Sequence, residues 1–291
     1  MTQILKSLSS RTTRLQLALP KGRMQSDVFA LLREAGIPVG GAVRGYRPSL
    51  GLEDAEVKLL KPQNAIRMLA AGSRDVGFAG ADWVEELDAD VIELLDTGLS
   101  PVRLVAAVPR NSAWPPRRAV VASEYEQITR RWMARQPFEG SFVRSFGATE
   151  VFPPEDADCI LDNTATGETL RANGLVIVDE VLQSSTRLYA SRDAMADPGR
   201  RGRIEDLVLL LQGVLEARRR VLIEVNVSSV DLSAVLGVLP CLREPTIGRL
   251  AGEGYAVKVA APREGLAELI PRIRAAGGSD IIVVRPTQIV L

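Results

Sequence analysis

Short apolar runs that alternate with amphipathic helical segments limit this chain to few folds. Leu15–Leu19, Glu56–Leu60, Asp75–Ala79, Val91–Leu95 and Val102–Val108 each have the length and composition of a strand. Between them, Val28, Leu31, Leu32 and Ala35 recur at helical spacing before Gly36. A second helix starts at Lys61-Pro62-Gln63-Asn64 and ends before Gly72, and a third follows Gly80-Ala81-Asp82. Such alternation argues for an α/β fold with a mostly parallel sheet. Pro109–Arg118, rich in Pro, Arg and Asn, reads as a crossover between lobes. A second series then begins: Ala119–Ala122 as a strand, Tyr125–Ala134 as a helix, Ser141–Phe146 and Cys159–Leu161 as strands. Leu175–Val181 fits either helix or strand. Arg187–Ser191 reads as a strand returning to the first lobe. Arg203–Arg218 reads as a long helix with Leu207, Leu210, Leu211, Val214 and Leu215 on one stripe.

From Arg220 the pattern changes. Val221–Val227, Thr246–Leu250, Tyr255–Ala261 and Asp280–Val284 read as strands. Asp231–Leu239 and Arg263–Ala276 read as helices, the second bent or broken at Pro271. The order βαββαβ is the ferredoxin-like motif, a separate module without a catalytic constellation of its own.

The chain has no histidine, which excludes Ser-His and Cys-His nucleophiles and any His-ligated metal. Its formal net charge of zero gives no footprint for nucleic acid or an anionic membrane. Cys159 and Cys241 sit far apart in apolar runs and read as buried thiols in a reducing compartment. Met1–Arg14 is polar and basic without an apolar signal core, and no run is long enough to span a bilayer. The expectation is a cytoplasmic protein.

What chemistry remains belongs to carboxylates, cations, hydroxyls and backbone amides. Cys159-Ile160-Leu161 is a short buried strand, and Asp162 sits where it would end. Asn163-Thr164-Ala165-Thr166-Gly167-Glu168-Thr169 follows. A small, hydroxylic, Gly-containing loop turns tightly and aims several N–H groups at one point, as a phosphate monoester requires. An acid followed by Thr-Gly-x-Thr reads as a ribose 5-phosphate site; the plainer reading is a strand-to-helix turn with Thr caps. Glu150, after the preceding strand, is a second acid able to share the ribose, or else a helix-start acid. Lys21-Gly22-Arg23, at the end of the first strand, suits a pyrophosphate, or else is a solvated pair of cations. Arg44–Arg47 adds further cations. Asp82 with Glu85 fits a capping box and competes with a ligand role.

Four stretches taken in order resemble the ATP phosphoribosyltransferase family. They are Leu19-Pro-Lys21-Gly22-Arg23; Lys61-Pro62-Gln63-Asn64; Asp75-Val-Gly-Phe-Ala-Gly80-Ala-Asp82; and Asp162-x-x-x-Thr166-Gly167-x-Thr169-Leu-Arg-Ala-Asn173-Gly174. The βαββαβ tail, with Glu244-Pro245-Thr246-Ile247, resembles the regulatory domain of the family's long form. The resemblance implies a two-lobed core like that of periplasmic binding proteins. Lobe I would be 1–108 with 188–217, lobe II 109–187, and the regulatory domain 218–291. It implies transfer of the 5-phosphoribosyl group from phosphoribosyl pyrophosphate to N1 of ATP, the first step of histidine biosynthesis. Mg²⁺ would travel with the substrate rather than in a protein metal site. Assembly from dimer to hexamer and inhibition by histidine, with Thr246 in the regulatory site, are implied as well. On this reading Asp162, Glu150 and Lys21 are catalytic. Thr164, Ala165, Thr166, Gly167, Glu168, Thr169, Lys21 and Gly22 join Asp162 on phosphoribosyl pyrophosphate. Arg23, Arg47, Gly80 and Asp82 meet ATP. Two features depart from the family. Its Arg-Pro-Gln-Asp turn reads Lys61-Pro62-Gln63-Asn64 here, which removes a guanidinium fork and a carboxylate. Glu168 also puts a negative charge beside the phosphate loop and is expected to point outward. The alternatives are a small-molecule-binding module of the same fold without catalysis, and a regulatory paralogue.

Overall fold

The computed structural model describes residues 14–40, 45–240 and 243–291; Arg44 and Cys241 lie outside them. The chain forms two compact units, 1–30 with 38–205 and 31–37 with 206–291.

The first unit is built on an eight-stranded sheet. Its leading elements are β1 (Leu15–Pro20), α1 (Gln25–Glu34), a two-residue hairpin of β2 (Val39–Gly40) and β3 (Ser49–Leu50), β4 (Ala55–Leu60), α2 (Pro62–Ala70), β5 (Val76–Gly80) and α3 (Ala81–Leu87). A long strand, β6 (Ile92–Pro109), leads to β7 (Arg118–Ser123), α4 (Glu126–Met133), β8 (Glu139–Arg144), β9 (Cys159–Thr164) and α5 (Glu168–Ala172). β10 (Leu175–Ala190) then runs back, followed by α6 (Arg192–Ala196) and α7 (Pro198–Arg219), whose residues from Asp206 on, like Leu31–Glu34 of α1, belong to the second unit. The strand order is β4-β1-β5-β10-β6-β9-β7-β8. Pairing is parallel at both ends and antiparallel through the centre, where β5-β10, β10-β6 and β6-β9 meet. The sheet is therefore two parallel lobes joined by an antiparallel ribbon.

That ribbon corrects three expectations. Val91–Leu95 and Val102–Val108 belong to one 18-residue strand, β6, rather than two. Leu175–Val181 and Arg187–Ser191 are both served by β10, 16 residues long. The crossing between lobes is made by these two strands, and Pro109–Arg118 is a connection from β6 to β7. The sequence hides β6 because its centre, Asp96-Thr-Gly-Leu-Ser-Pro101, reads as a turn. Gly98 and Ser100 take positive φ there, +64° and +45°. Side chains supply what the interrupted ladder loses: Thr97 Oγ1 donates to the Thr186 carbonyl at 2.5 Å, and Asp96 accepts from the Gly98 N–H at 2.8 Å.

β1 and β5 are almost wholly buried, as continuous apolar runs in a parallel sheet should be. In the second lobe Trp132, Tyr125, Ile128, Leu104 and Leu161 form the core between α4 and the sheet. α4 has no side-chain cap of its own. Buried Glu86, from α3, accepts from its Gln127 and Ile128 N–H groups at 3.1 and 3.0 Å, so one lobe caps a helix of the other.

The second unit carries β11 (Arg220–Val227), α8 (Leu232–Val238), β12 (Thr246–Arg249), β13 (Tyr255–Pro262), α9 (Leu266–Ala275) and β14 (Ser279–Val284). The sheet order β12-β13-β11-β14, antiparallel throughout, is the ferredoxin-like arrangement. Val221, Ile223, Val225 and Val227 alternate into its core. α9 runs through Pro271 without a break. Pro271 and Ala267, whose carbonyl loses its donor, are both exposed, so water can take the missing bond.

Gly77 lies where β5 crosses closest to β1. A Cβ there would stand 2.8 Å from both the Cβ and the carbonyl oxygen of Ala18, two atoms that cannot swing aside. Gly77→Ala should destabilise the first unit by about 1–3 kcal/mol. Urea unfolding should show a lower midpoint at an unchanged slope, and an unaltered midpoint would mean that the two strands can spread without cost.

Candidate active site

Asp162 stands inside β9, two residues before its end, rather than after the strand as expected. Register with Val105 of β6 places it on the ladder next to the ribbon. The half-buried carboxylate accepts from the Asn163 N–H at 2.7 Å. It faces a cavity of about 400 Å³ lined also by Glu124, Thr149, Glu150, Arg23 and the loop from Thr164 to Thr169. Gly167, at φ +76°, turns that loop into α5. Thr164 Oγ1 accepts from the Gly167 N–H at 2.9 Å, and Thr166 Oγ1 from the Glu168 N–H at 3.3 Å. The two threonines thus hold the loop in the shape its glycine permits. A Cβ on Gly167 would sit 3.3 Å from the Arg171 guanidinium, which itself donates to the Thr166 carbonyl.

The electrostatics of this cavity are unbalanced. Glu124, Glu150, Asp162 and Glu168 line it against one guanidinium, Arg23. Glu168 is exposed and, as the first residue of α5, is among the residues that line the cavity. Burial lifts the Asp162 carboxyl to about 6, and the like charges of Glu124 and Glu150 push the same way. The Asn163 N–H and the Thr149 hydroxyl pull against them. Thr149 is itself fixed by Ser145, oxygen to oxygen at 2.7 Å.

A second cavity, about 280 Å³, shares Arg23, Glu124 and Asn163 with the first, so the two adjoin. Lys21, Gln63, Gly80, Asp82, Trp83 and Tyr125 line it. Here the capping-box reading of Asp82 fails, because the N-cap of α3 is Gly80 and Glu85 turns outward to Arg131 at 2.7 Å. Buried Asp82 accepts instead from Tyr125 Oη at 2.7 Å and Ser184 Oγ at 2.6 Å. Gly80 is what lets the carboxylate fold back, since a Cβ there would lie 2.1 Å from Asp82 Oδ1. Burial and the neighbouring Asp82 push the Tyr125 hydroxyl well above its ordinary range, so it stays protonated and donates. Its oxygen accepts from Asn163 Nδ2 at 3.0 Å, and Asn163 Oδ1 accepts from Arg23 at 3.3 Å. Trp83 stacks on Tyr125 with ring centroids 4.6 Å apart.

Two buried oxygens on this wall, Gln63 Oε1 and Thr186 Oγ1, have no partner among the described residues. Buried groups left unpaired are costly. Among the other candidates, Lys21 has its ammonium 4.3 Å over the Tyr46 ring, and Gly22 makes the turn after β1 at φ +89°. Arg47 is not brought in: it lines neither cavity and pairs with Glu56 at 3.0 Å. Thr246 lies exposed at the start of β12, in the other unit. No group of three or more acidic or thiol side chains among the described residues is spaced to hold a metal. Tyr125, Asn163, Ser184, Gln63 and Glu124 went unread as site residues. Gln63 and Asn163 stood inside stretches already singled out, whereas Tyr125 and Ser184 carry no local signal.

Comparison with known proteins identifies the family. A sequence family described as ATP phosphoribosyltransferase matches residues 61–213, and one described as HisG, C-terminal domain, matches 217–286. The chain is 37% identical over 277 residues to an ATP phosphoribosyltransferase of Chlorobium phaeobacteroides, covering 92% of this chain and 94% of that protein. It is 38% identical over 279 residues to one of Desulforudis audaxviator, covering 92% and 96%. Among solved structures, the ATP phosphoribosyl transferase (HisG:HisZ) complex from Thermotoga maritima superposes with a TM-score of 0.63. Identity there is 25%, over 69% of this chain and 98% of that one.

Because the Asp162 carboxyl is raised in the folded chain, its ionisation destabilises the fold. The penalty is absent below the unfolded value near 4, grows as pH rises toward about 6, and is complete above it. Asp162→Asn should therefore make the ligand-free protein more stable at pH 7.5, by up to about 3 kcal/mol, with the gain vanishing near pH 4. Denaturant titrations of both proteins at the two pH values check this. Equal stability at pH 7.5 would mean that the carboxylate is solvated in place.

Proposed function

This chain belongs to the ATP phosphoribosyltransferase family, and we propose that the cavity around Asp162 holds the sugar while the adjoining cavity holds the nucleotide. The chain transfers the 5-phosphoribosyl group from phosphoribosyl pyrophosphate to N1 of ATP and releases pyrophosphate, the first step of histidine biosynthesis. The observation that carries the site assignment is the placing of two carboxylates, Asp162 and Glu150, on one cavity with the Thr164–Thr169 loop.

The reaction suits a chain without histidine. Adenine N1 is already a lone-pair nucleophile, so no side chain need deprotonate it. As the bond from C1 to pyrophosphate breaks, positive charge builds on the ribose ring. The chain's work is positioning and electrostatics. Asp162 and Glu150 accept hydrogen bonds from the ribose hydroxyls, and their charge favours the cationic ring. The loop takes the 5-phosphate, which replaces the Thr164 and Thr166 hydroxyls on the Gly167 and Glu168 amides. Thr169 and Ala165 complete its wall. Lys21, with Arg23, faces the leaving pyrophosphate from the end of β1.

Magnesium arrives with the pyrophosphate as part of the substrate. A cavity with four carboxylates and one guanidinium suits a polyanion whose charge is neutralised by such a cation. In the adjoining cavity the stacked Trp83 and Tyr125 offer an aromatic wall to the base, beside Gly80 and Asp82. Gln63 and Thr186 also line this cavity. The cation at position 61 is kept although the family's arginine is not.

The lobe boundaries 1–108 with 188–217 and 109–187 belong to this reading, as does a regulatory role for 218–291. Support for the latter is the complete ferredoxin-like sheet and the match over 217–286. Histidine inhibition at that module, dimer-to-hexamer assembly and a cytoplasmic location are part of the proposal. No helix of the described residues is long and apolar enough to cross a membrane.

Asp162→Asn keeps the shape of the side chain and one acceptor and removes its charge. A bound substrate loses part of its contacts, but the cationic transition state loses a charge interaction in a site poor in water. Turnover should fall by about 10²-fold, near 2.7 kcal/mol, with a smaller loss of phosphoribosyl pyrophosphate affinity. Steady-state kinetics with binding measured directly alongside decides it. Normal turnover at saturation would reduce Asp162 to a binding residue, and normal binding and turnover would remove it from the site. For the module at 218–291, calorimetry of the full chain should show heat of histidine binding, and none at millimolar ligand would end the regulatory reading.

A further inference from the structure

We propose that the second unit carries an anion site, separate from the catalytic cavities, that takes a small phosphate-bearing molecule. It is a cavity of about 420 Å³ lined by Arg218, Arg220, Arg263, Arg285 and Glu34, with Thr287 on its wall. All of these residues belong to the second unit.

The topology explains the convergence. β11 begins at Arg220, its register partner Pro262 ends β13, and Val284, which pairs with Leu222, ends β14. Three neighbouring strands therefore stop at one end of the sheet, and the residue at each stop, Arg220, Arg263 and Arg285, is an arginine. Arg218 joins them from the last turn of α7, and the Arg263 N–H bonds to the carbonyl of Arg219.

Two of the four guanidiniums are already neutralised. Arg218 grips Glu34 in a bidentate pair, both bonds 2.9 Å, which also holds the Glu34 carboxyl below its usual range. Arg220 pairs with Glu216, which is not on the cavity wall. Arg263 and Arg285 have no carboxylate partner among the described residues, and Glu264, next to Arg263, does not line the cavity. Like charges converging in a concave wall repel one another, and Glu34 is the one carboxylate residue among the described residues that lines this cavity. Two free planar forks on one cavity match the geometry of a phosphate group. The volume lies within the range of small-molecule sites, and Ala217 and Pro286 supply apolar surface for the remainder of the ligand. The ligand is an inorganic polyphosphate or the phosphate of an organic ester.

The probes are inorganic pyrophosphate and ribose 5-phosphate, bound to the full chain in about 0.1 M salt and followed by equilibrium dialysis. The catalytic cavity contributes one class of binding and the arginine cavity a second. Arg263→Gln with Arg285→Gln should lose the second class, with affinity down by about a hundredfold. The first class and turnover at low anion concentration should stay as they were. Arg263→Lys with Arg285→Lys, which keeps charge but not the fork, should fall in between. Stronger binding of ribose 5-phosphate than of pyrophosphate identifies an ester as the ligand, and the reverse order an inorganic anion. A wild-type protein with one class of sites, or two classes unchanged in both double variants, would overturn the proposal. So would Lys and Gln variants that lose the second class only by unfolding, as judged by thermal melts.

Discussion

Crowding carboxylates around a partly buried cavity is unfavourable, and the first unit is organised to sustain it. Asp162, Glu124, Glu150 and Glu168 line one wall with one guanidinium, Arg23, and burial there lifts the Asp162 carboxyl to about 6. In an empty cavity this arrangement subtracts from stability. On the proposed assignment it is useful when a ligand brings cationic character: a magnesium-bound pyrophosphate on arrival, then a ribose ring that becomes positive as its bond to pyrophosphate breaks. On that assignment, the charge that strains the free protein is what the transition state binds.

The rigid parts of the fold hold the strained parts in place. Asp162 is carried on a strand hydrogen-bonded to the long β6, so it has little freedom to retreat from its neighbours. The two lobes also touch through Asp82, Tyr125 and Asn163, and through Arg23 on Asn163. Asn163 is thus bonded on one side to Asp162 and on the other to Tyr125 and Arg23, and it lines both cavities. Motion of one lobe against the other must bend the β6–β10 ribbon near its irregular centre, where Gly98 and Ser100 already depart from extended geometry.

The elements that the sequence disclosed are those whose signal is local. Apolar runs marked β1, β5 and β9, and the order of strands and helices from Val221 to Val284 marked the ferredoxin-like sheet. The ribbon is hidden because Asp96-Thr-Gly-Leu-Ser-Pro101 looks like a turn, and pairing with distant β10, at Ser184, Thr186 and Arg187, keeps it in a strand. The site divides in the same way. Asp162, Glu150 and the Thr164–Thr169 loop were legible because acid and loop adjoin in sequence. Tyr125 and Ser184 were not, since their roles arise from contacts across 43 and 102 residues to Asp82. Asp82 itself has a side chain suited both to capping and to a buried network, and only the burial of its carboxylate beside Gly80 decides between them.

The titration of one carboxyl reports on this balance directly. With ¹³C-labelled aspartate and Asp162→Asn to assign the resonance, the Asp162 carboxyl should titrate near 6 in the free protein. It should move toward the ordinary carboxylate range when magnesium and phosphoribosyl pyrophosphate are added, as ribose hydroxyls and a cation favour the charged form. An ordinary value near 4 in the free protein, unmoved by the ligand, would contradict the assignment of Asp162 as the charge that meets the sugar.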